Sequence, residues 1–172
     1  MRHAPPTRTD FANRSLAEPP ALPDDTGALI ALIETRYHAV HRREFQELIK
    51  LARHVETDHA AHPEVPRGAA DLLQQMAGEL EVHMKKEELI LFPRMRRGGD
   101  PKLAQSIAAL LVDHADHHSQ LRKLEQAIRD FIAPEDACPG WRALCLGARK
   151  LSDDLMQHIR IENDVLFPRF SI

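Results

Sequence analysis

Two segments of this chain are near-copies of each other, and each sets a histidine and a glutamate four residues apart. The first is His83-Met-Lys-Lys-Glu87-Glu-Leu-Ile-Leu-Phe92-Pro93-Arg94. The second is His158-Ile-Arg-Ile-Glu162-Asn-Asp-Val-Leu166-Phe167-Pro168-Arg169, 75 residues later. On an α-helix, residues four apart share a face and lie about 6 Å apart along the axis. Each copy therefore offers one imidazole and one carboxylate side by side, and two such pairs facing each other can hold two metal ions.

The repeat extends upstream. Tyr37-His38-Ala-Val-His41 matches Asp113-His114-Ala-Asp-His117 at an offset of 76, and the apolar register continues through Phe45 with Leu121 and Leu48 with Leu124. Apolar residues recur at helical spacing along all four segments. A first helix is predicted from about Asp24-Asp25-Thr26, which offers N-cap chemistry, to about Glu56. A second runs from about Pro66 to Arg97 and stops at Gly98-Gly99. A third opens at Asp100-Pro101 and ends near Ile132, and a fourth spans about Gly140 to Phe167, ending at Pro168. Four long helices with short connections predict an all-α, up-down-up-down four-helix bundle over residues 24–172. Residues 1–23, with Pro5-Pro6, Pro19-Pro20 and Pro23, read as a loose proline-rich tail.

Helix lengths bring the candidate ligands to one level. His38 lies roughly 20 residues before the first loop and His83 roughly 17 after it; the other two turns give comparable spacings. At about 1.5 Å per residue, the mismatches amount to one helical turn or less.

A histidine on an apolar helical face is usually a hydrogen-bonded core residue. The glutamates tip the balance, because buried carboxylates are rare unless paired or ligating. Glu87 and Glu162 sit on the inward stripe with Leu91 and Leu166 one turn later. His38, His83, His114 and His158 with Glu87 and Glu162 form a mixed N/O set without thiolate, unlike a structural zinc site. Two carboxylates within reach of two ions can bridge them, which favours a dinuclear site. Non-haem iron suits this set best, with manganese or zinc as alternatives. Glu-x-x-His occurs once, at Glu56 to His59, without a counterpart, and is read as chance.

Glu79 and Asp154 precede His83 and His158 by four residues and are candidates to orient an imidazole N–H, against the plain reading of solvated acids. Asp113, next to His114, is a candidate for an access path. His118 forms a second i, i+4 pair with His114 and is a candidate fifth imidazole. His41 and His117 read as outer or core residues. Cys138 and Cys145 are too few for a disulfide framework and read as free thiols. The formal charge of −3 and pI near 6.4 leave no footprint for nucleic acid. No apolar run suggests a membrane span and no signal peptide is evident, so a cytoplasmic setting is expected.

The residues Arg36-Tyr37-His38, His83 to Glu88, Leu91-Phe92-Pro93, His114, Asp153 to Asn163 and Val165-Leu-Phe-Pro168 resemble the hemerythrin-like His-His-Glu cation-binding domain. Within it the chain is most similar to the repair-of-iron-centres di-iron proteins, over about residues 26 to 170. The resemblance implies two non-haem irons, oxo- and carboxylate-bridged, with His38, His83, His114 and His158 as terminal ligands and Glu87 and Glu162 as bridges. It implies a protein of the nitric oxide and oxidative stress response. Such a protein binds or reduces nitric oxide, or donates iron to damaged iron–sulfur proteins. A reversible oxygen-binding or oxygen-sensing module is the alternative. Two departures are expected: the proline-rich tail stands where the family carries a small N-terminal domain with adjacent cysteines, and His118 moves the set toward oxygen-carrying hemerythrins.

Overall fold

Asp25 opens the first helix: its backbone is extended and its carboxylate accepts the N–H of Ala28 at 2.7 Å, satisfying one of the orphan donors of the first turn. In the computed structural model, which describes residues 21–170, that helix continues to residue 58 and is called α1. Helix α2 covers residues 69–96, α3 is Leu103–Ala127 and α4 covers residues 139–166, followed by a 3-10 turn Phe167–Phe170. The proline-rich stretch up to residue 20 lies outside the described residues. At its end, Arg169 donates to the carbonyls of Pro23 and Asp24 at 3.1 and 2.7 Å.

The helices alternate in direction, and burial shows it. One apolar cluster holds Leu29, Ile30, Ile33 and Tyr37 of α1, Leu91, Phe92 and Met95 of α2, Leu103, Ile107 and Leu110 of α3, and Ile161 and Leu166 of α4. The other holds Phe45 to Val55, Ala69 to Met84, Leu121 to Ile128 and Trp141 to Ile159. Chain order reverses between the clusters from one helix to the next, which is the up-down-up-down arrangement. The family-type bundle expected from the sequence is the one observed. Among the described residues, no helix is long and apolar enough to cross a membrane.

Boundaries differ from expectation where backbone chemistry intervenes. Helix α2 starts at Ala69, because Gly68 takes φ +81°, outside the helical region. Before it, Glu56 accepts the N–H of Ala70 at 2.9 Å, so this glutamate caps α2 from the end of α1. Helix α3 stops at Ala127, five residues short of the expected Ile132. Arg129, Asp130 and Phe131 all adopt positive φ, a left-handed turn without glycine. Each such residue costs about 1–2 kcal/mol. Arg149 offsets part of that by donating to the Asp130 carbonyl at 2.8 Å and lying over the Phe131 ring at 5.4 Å. Helix α4 starts at Pro139, with Cys138 as its cap: the sulfur accepts the N–H of Trp141 at 3.4 Å. Cys138 and Cys145 are both free thiols.

Candidate metal centre

Three of the four helices carry a π turn, and each touches the His/Glu set. The turns are Ile33–His38, Glu87–Leu91 and Glu162–Leu166. The backbone N–H groups of Ala39, Phe92 and Phe167 reach back five residues, to Glu34, Glu87 and Glu162. Such bulges insert one residue into the helical repeat and cluster at functional sites. Here the extra residue lets Glu87 face the bundle axis while Leu91, Phe92 and Met95 all remain within 2 % of full burial. Two residues beyond the π turns of α2 and α4 stands a proline, Pro93 and Pro168. Lacking an N–H, each donates no backbone hydrogen bond to the preceding turn, which eases the switch of register.

His38, His83, His114, His158, Glu87 and Glu162 meet in one layer between the two apolar clusters, each at most 2 % exposed. Their ligand atoms fall into two quartets. One is His38, Glu87, His158 and Glu162; the other is His83, Glu87, His114 and Glu162, and within each the atoms lie within 4.8 Å of one another. The two glutamates divide their oxygens between the quartets. Glu87 sets Oε2 3.3 Å from His38 Nε2 and Oε1 3.4 Å from His83 Nε2. Glu162 sets Oε1 2.9 Å from His158 Nε2 and Oε2 3.1 Å from His114 Nε2.

Of these four approaches only His158 to Glu162 has hydrogen-bond geometry. Both oxygens of Glu87, Oε2 of Glu162 and Nε2 of His38 are buried without a hydrogen-bond partner. Orphaned buried acceptors are costly, about 1–3 kcal/mol each and more when charged. His83 and His114 also bring their Nε2 atoms to 3.2 Å of each other. Converging lone pairs and unmatched carboxylate oxygens in a buried layer are a donor set that could hold a pair of cations.

Outer contacts orient three of the rings. His38 Nδ1 lies 2.8 Å from Glu88, itself clamped by Arg42 at 2.9 and 3.0 Å. His114 Nδ1 lies 2.7 Å from Asn163 Oδ1. His83 Nδ1 lies 3.3 Å from Asp113, which also accepts from Lys86 at 2.7 Å. Such partners fix the tautomer that offers Nε2 inward. His158 Nδ1 has no hydrogen-bond partner; Tyr37 stacks on this ring at 5.3 Å instead. Phe92 stacks on His38 and Phe167 on His114, both at 5.8 Å, so the Phe-Pro motifs roof the layer.

The other expected residues lie around this core. Glu79 accepts from Gln75 at 2.8 Å and from Gln120, not from His83. Asp154 accepts from Arg36 at 3.4 Å and Lys150 at 2.6 Å, not from His158. His118 is half-buried and belongs to neither quartet. His41 and His117 are buried, stacked on His158 at 5.3 Å and edge-on to His83 at 5.1 Å. Glu88 and Asn163 were not singled out from the sequence. They occupy the same repeat position, one residue after each glutamate, and that equivalence was the available signal.

Without metal, protons do the neutralising. Burial works against a charged His83 ring, but the Glu87 carboxylate outweighs it and raises the group to about 9. His38 follows the same balance, also upward. Burial would raise Glu162, yet the charge of His158 beside it holds it well below the usual carboxylate range. His41 and His117 go the other way: burial, then neighbouring imidazoles, push both down, His117 to about 4.

Residues 32–170 match the Hemerythrin HHE cation binding domain. The chain is 41% identical over 143 residues to the iron-sulfur cluster repair protein DnrN of Neisseria gonorrhoeae, covering 83% of this chain and 90% of that protein. It is likewise 41% identical over 141 residues to the iron-sulfur cluster repair proteins YtfE of Yersinia pseudotuberculosis and Yersinia pestis. There the match covers 82% of this chain and 64% of the Yersinia proteins, so the chain spans just under two thirds of their length.

Proposed function

The chain belongs to the hemerythrin HHE cation-binding family, and we propose that it is a non-haem di-iron protein acting in iron–sulfur cluster repair under nitric oxide and oxidative stress. The ligands we assign are His38, His83, His114 and His158, with Glu87 and Glu162 bridging. The observation that carries this reading is the division of each carboxylate between the two quartets. Its relatives are named iron-sulfur cluster repair proteins. When bound, a pair of irons supplies one-electron redox chemistry and open coordination positions for a small diatomic ligand such as nitric oxide.

The chain's own residues do the rest. The apolar clusters on either side bury the layer, which strengthens each charge–dipole contact inside it. Glu88, Asp113 and Asn163 hold three imidazoles in the tautomer that presents Nε2. Glu87 and Glu162 each turn one oxygen toward either quartet, so together they would hold both ions. His83 and His38, which hold protons readily without metal, would have to give them up to serve as ligands, so metal uptake would be coupled to proton release. Damaged iron–sulfur proteins are the partners and the cytoplasm the setting in this proposal.

The test is reactivation of a nitric-oxide-damaged iron–sulfur enzyme. Iron-loaded protein should restore activity, and the Glu87→Ala, Glu162→Ala double variant should not. Equal reactivation by that variant would reject the metal centre as the agent.

A further inference from the structure

His117 lies outside the six-residue set, yet its surroundings prepare it to bind something. A groove of about 420 Å³ opens between α2 and α3, with Glu79, Val82, Lys86, Asp113, Asp116 and His117 in its lining. The His117 ring is 3 % exposed, and it stands edge-on to His83 with centroids 5.1 Å apart. It therefore separates the groove from the centre by the thickness of one side chain.

A chain of hydrogen bonds sets its tautomer. The carboxylate of Glu79 can only accept, so Gln120 must turn its amide N–H toward Glu79 and its oxygen toward His117. That oxygen lies 3.3 Å from Nδ1, so Nδ1 carries the proton. Nε2 is left with a bare lone pair, buried and without a hydrogen-bond partner. An imidazole whose far nitrogen donates through an amide to a carboxylate is arranged as metal ligands are. The groove supplies charge to match: Glu79, Asp113 and Asp116 against one cation, Lys86, which is tied to Asp113 at 2.7 Å. Asp113 also touches His83 Nδ1 at 3.3 Å, so rim and ligand shell share a residue. The repeat counterpart of His117 is His41, which is fully enclosed.

We propose that His117 is a transient ligand for a divalent cation moving between solvent and the centre through the α2–α3 groove. This rests on the metal-centre reading above. The groove is the path for iron delivery: Asp116 and Glu79 draw the ion to the mouth, His117 Nε2 takes it up, and His83 is the ligand it exchanges with.

The experiment measures anaerobic capture of ferrous iron by a chromophoric chelator from fully loaded protein. His117→Phe keeps a ring against His83 but removes the lone pair. Its iron content and optical spectrum should match wild type while release slows by about tenfold, the usual scale for losing a supporting metal contact. Release at the wild-type rate would overturn the proposal. Asp116→Asn, at an exposed position, should slow release at low salt and not at high salt; no effect at either would count against the groove. If His117→Phe fails to load, manganese added to zinc-filled wild type decides. Broadening of the Val82 methyl signals supports the site, and unbroadened signals overturn it. A wild-type protein that takes up no pair of ions would overturn the metal-centre reading itself, a result separable from unchanged release in a loaded variant.

Discussion

Glu87→Gln removes one charge and almost no volume, and the division of its oxygens makes the outcome specific. Oε2 faces His38 in one quartet and Oε1 faces His83 in the other, at 3.3 and 3.4 Å. The residue is fully buried, so no solvent replaces what it gives. Removing one partner of a buried charge pair costs about 3–5 kcal/mol. At 1.4 kcal/mol per decade, that is roughly two to four decades in dissociation constant. Because the carboxylate is shared, both ions should weaken by this amount. His114→Ala, which touches one quartet only, should weaken one ion far more than the other. Anaerobic titration with ferrous iron, read by calorimetry and by metal content after gel filtration, separates these patterns. If Glu87→Gln retained one ion at wild-type affinity, Glu87 would serve a single position and the bridging geometry would be refuted.

Other outcomes follow from the same contacts. Glu88→Gln should lower affinity about 10- to 100-fold at the His38 position, and Asn163→Ala similarly at His114, with two ions still bound at saturating iron, checked by the same titration. The metal-free protein should lose stability as pH rises from about 6.5 through 9. The His83 proton is held more tightly folded than unfolded, so its contribution is full below 6.5 and gone above about 9. Glu162 is shifted the other way, so its contribution is present above about 4.5 and fades in acid. Urea unfolding of metal-free protein across this range reads both limbs, while iron affinity should rise over the same interval as the competing proton leaves. Phe92→Ala, emptying a fully buried site that stacks on His38, should cost about 3–5 kcal/mol in chemical denaturation.

The bundle was legible because two periodicities agree in this chain. The apolar stripes give four helices, and the His/Glu offsets fall on those stripes at matching distances from each turn. What escaped the reading was non-periodic. A π turn shifts register by one residue, and only Pro93 and Pro168 hinted at two of the three; α1 has no equivalent marker before Ala39. The left-handed turn at Arg129 to Phe131 has no glycine to announce it and depends on Arg149 from another helix. Glu79 and Asp154 sit on the expected helix faces, but Gln120 and Arg36 reach across from neighbouring helices, and Lys150 from one turn earlier on α4, to claim their carboxylates first. Side-chain reach across helices, unlike register along one, is not encoded in spacing. Glu88 and Asn163 were recoverable from the repeat, since each follows a bridging glutamate by one residue.

The most direct test of the account is the metal stoichiometry of the protein as isolated, taken with its optical spectrum. Two irons per chain, with the absorption of a coupled pair, is the predicted result. A single ion per chain, above all one zinc, would contradict a centre in which Glu87 and Glu162 each serve two positions.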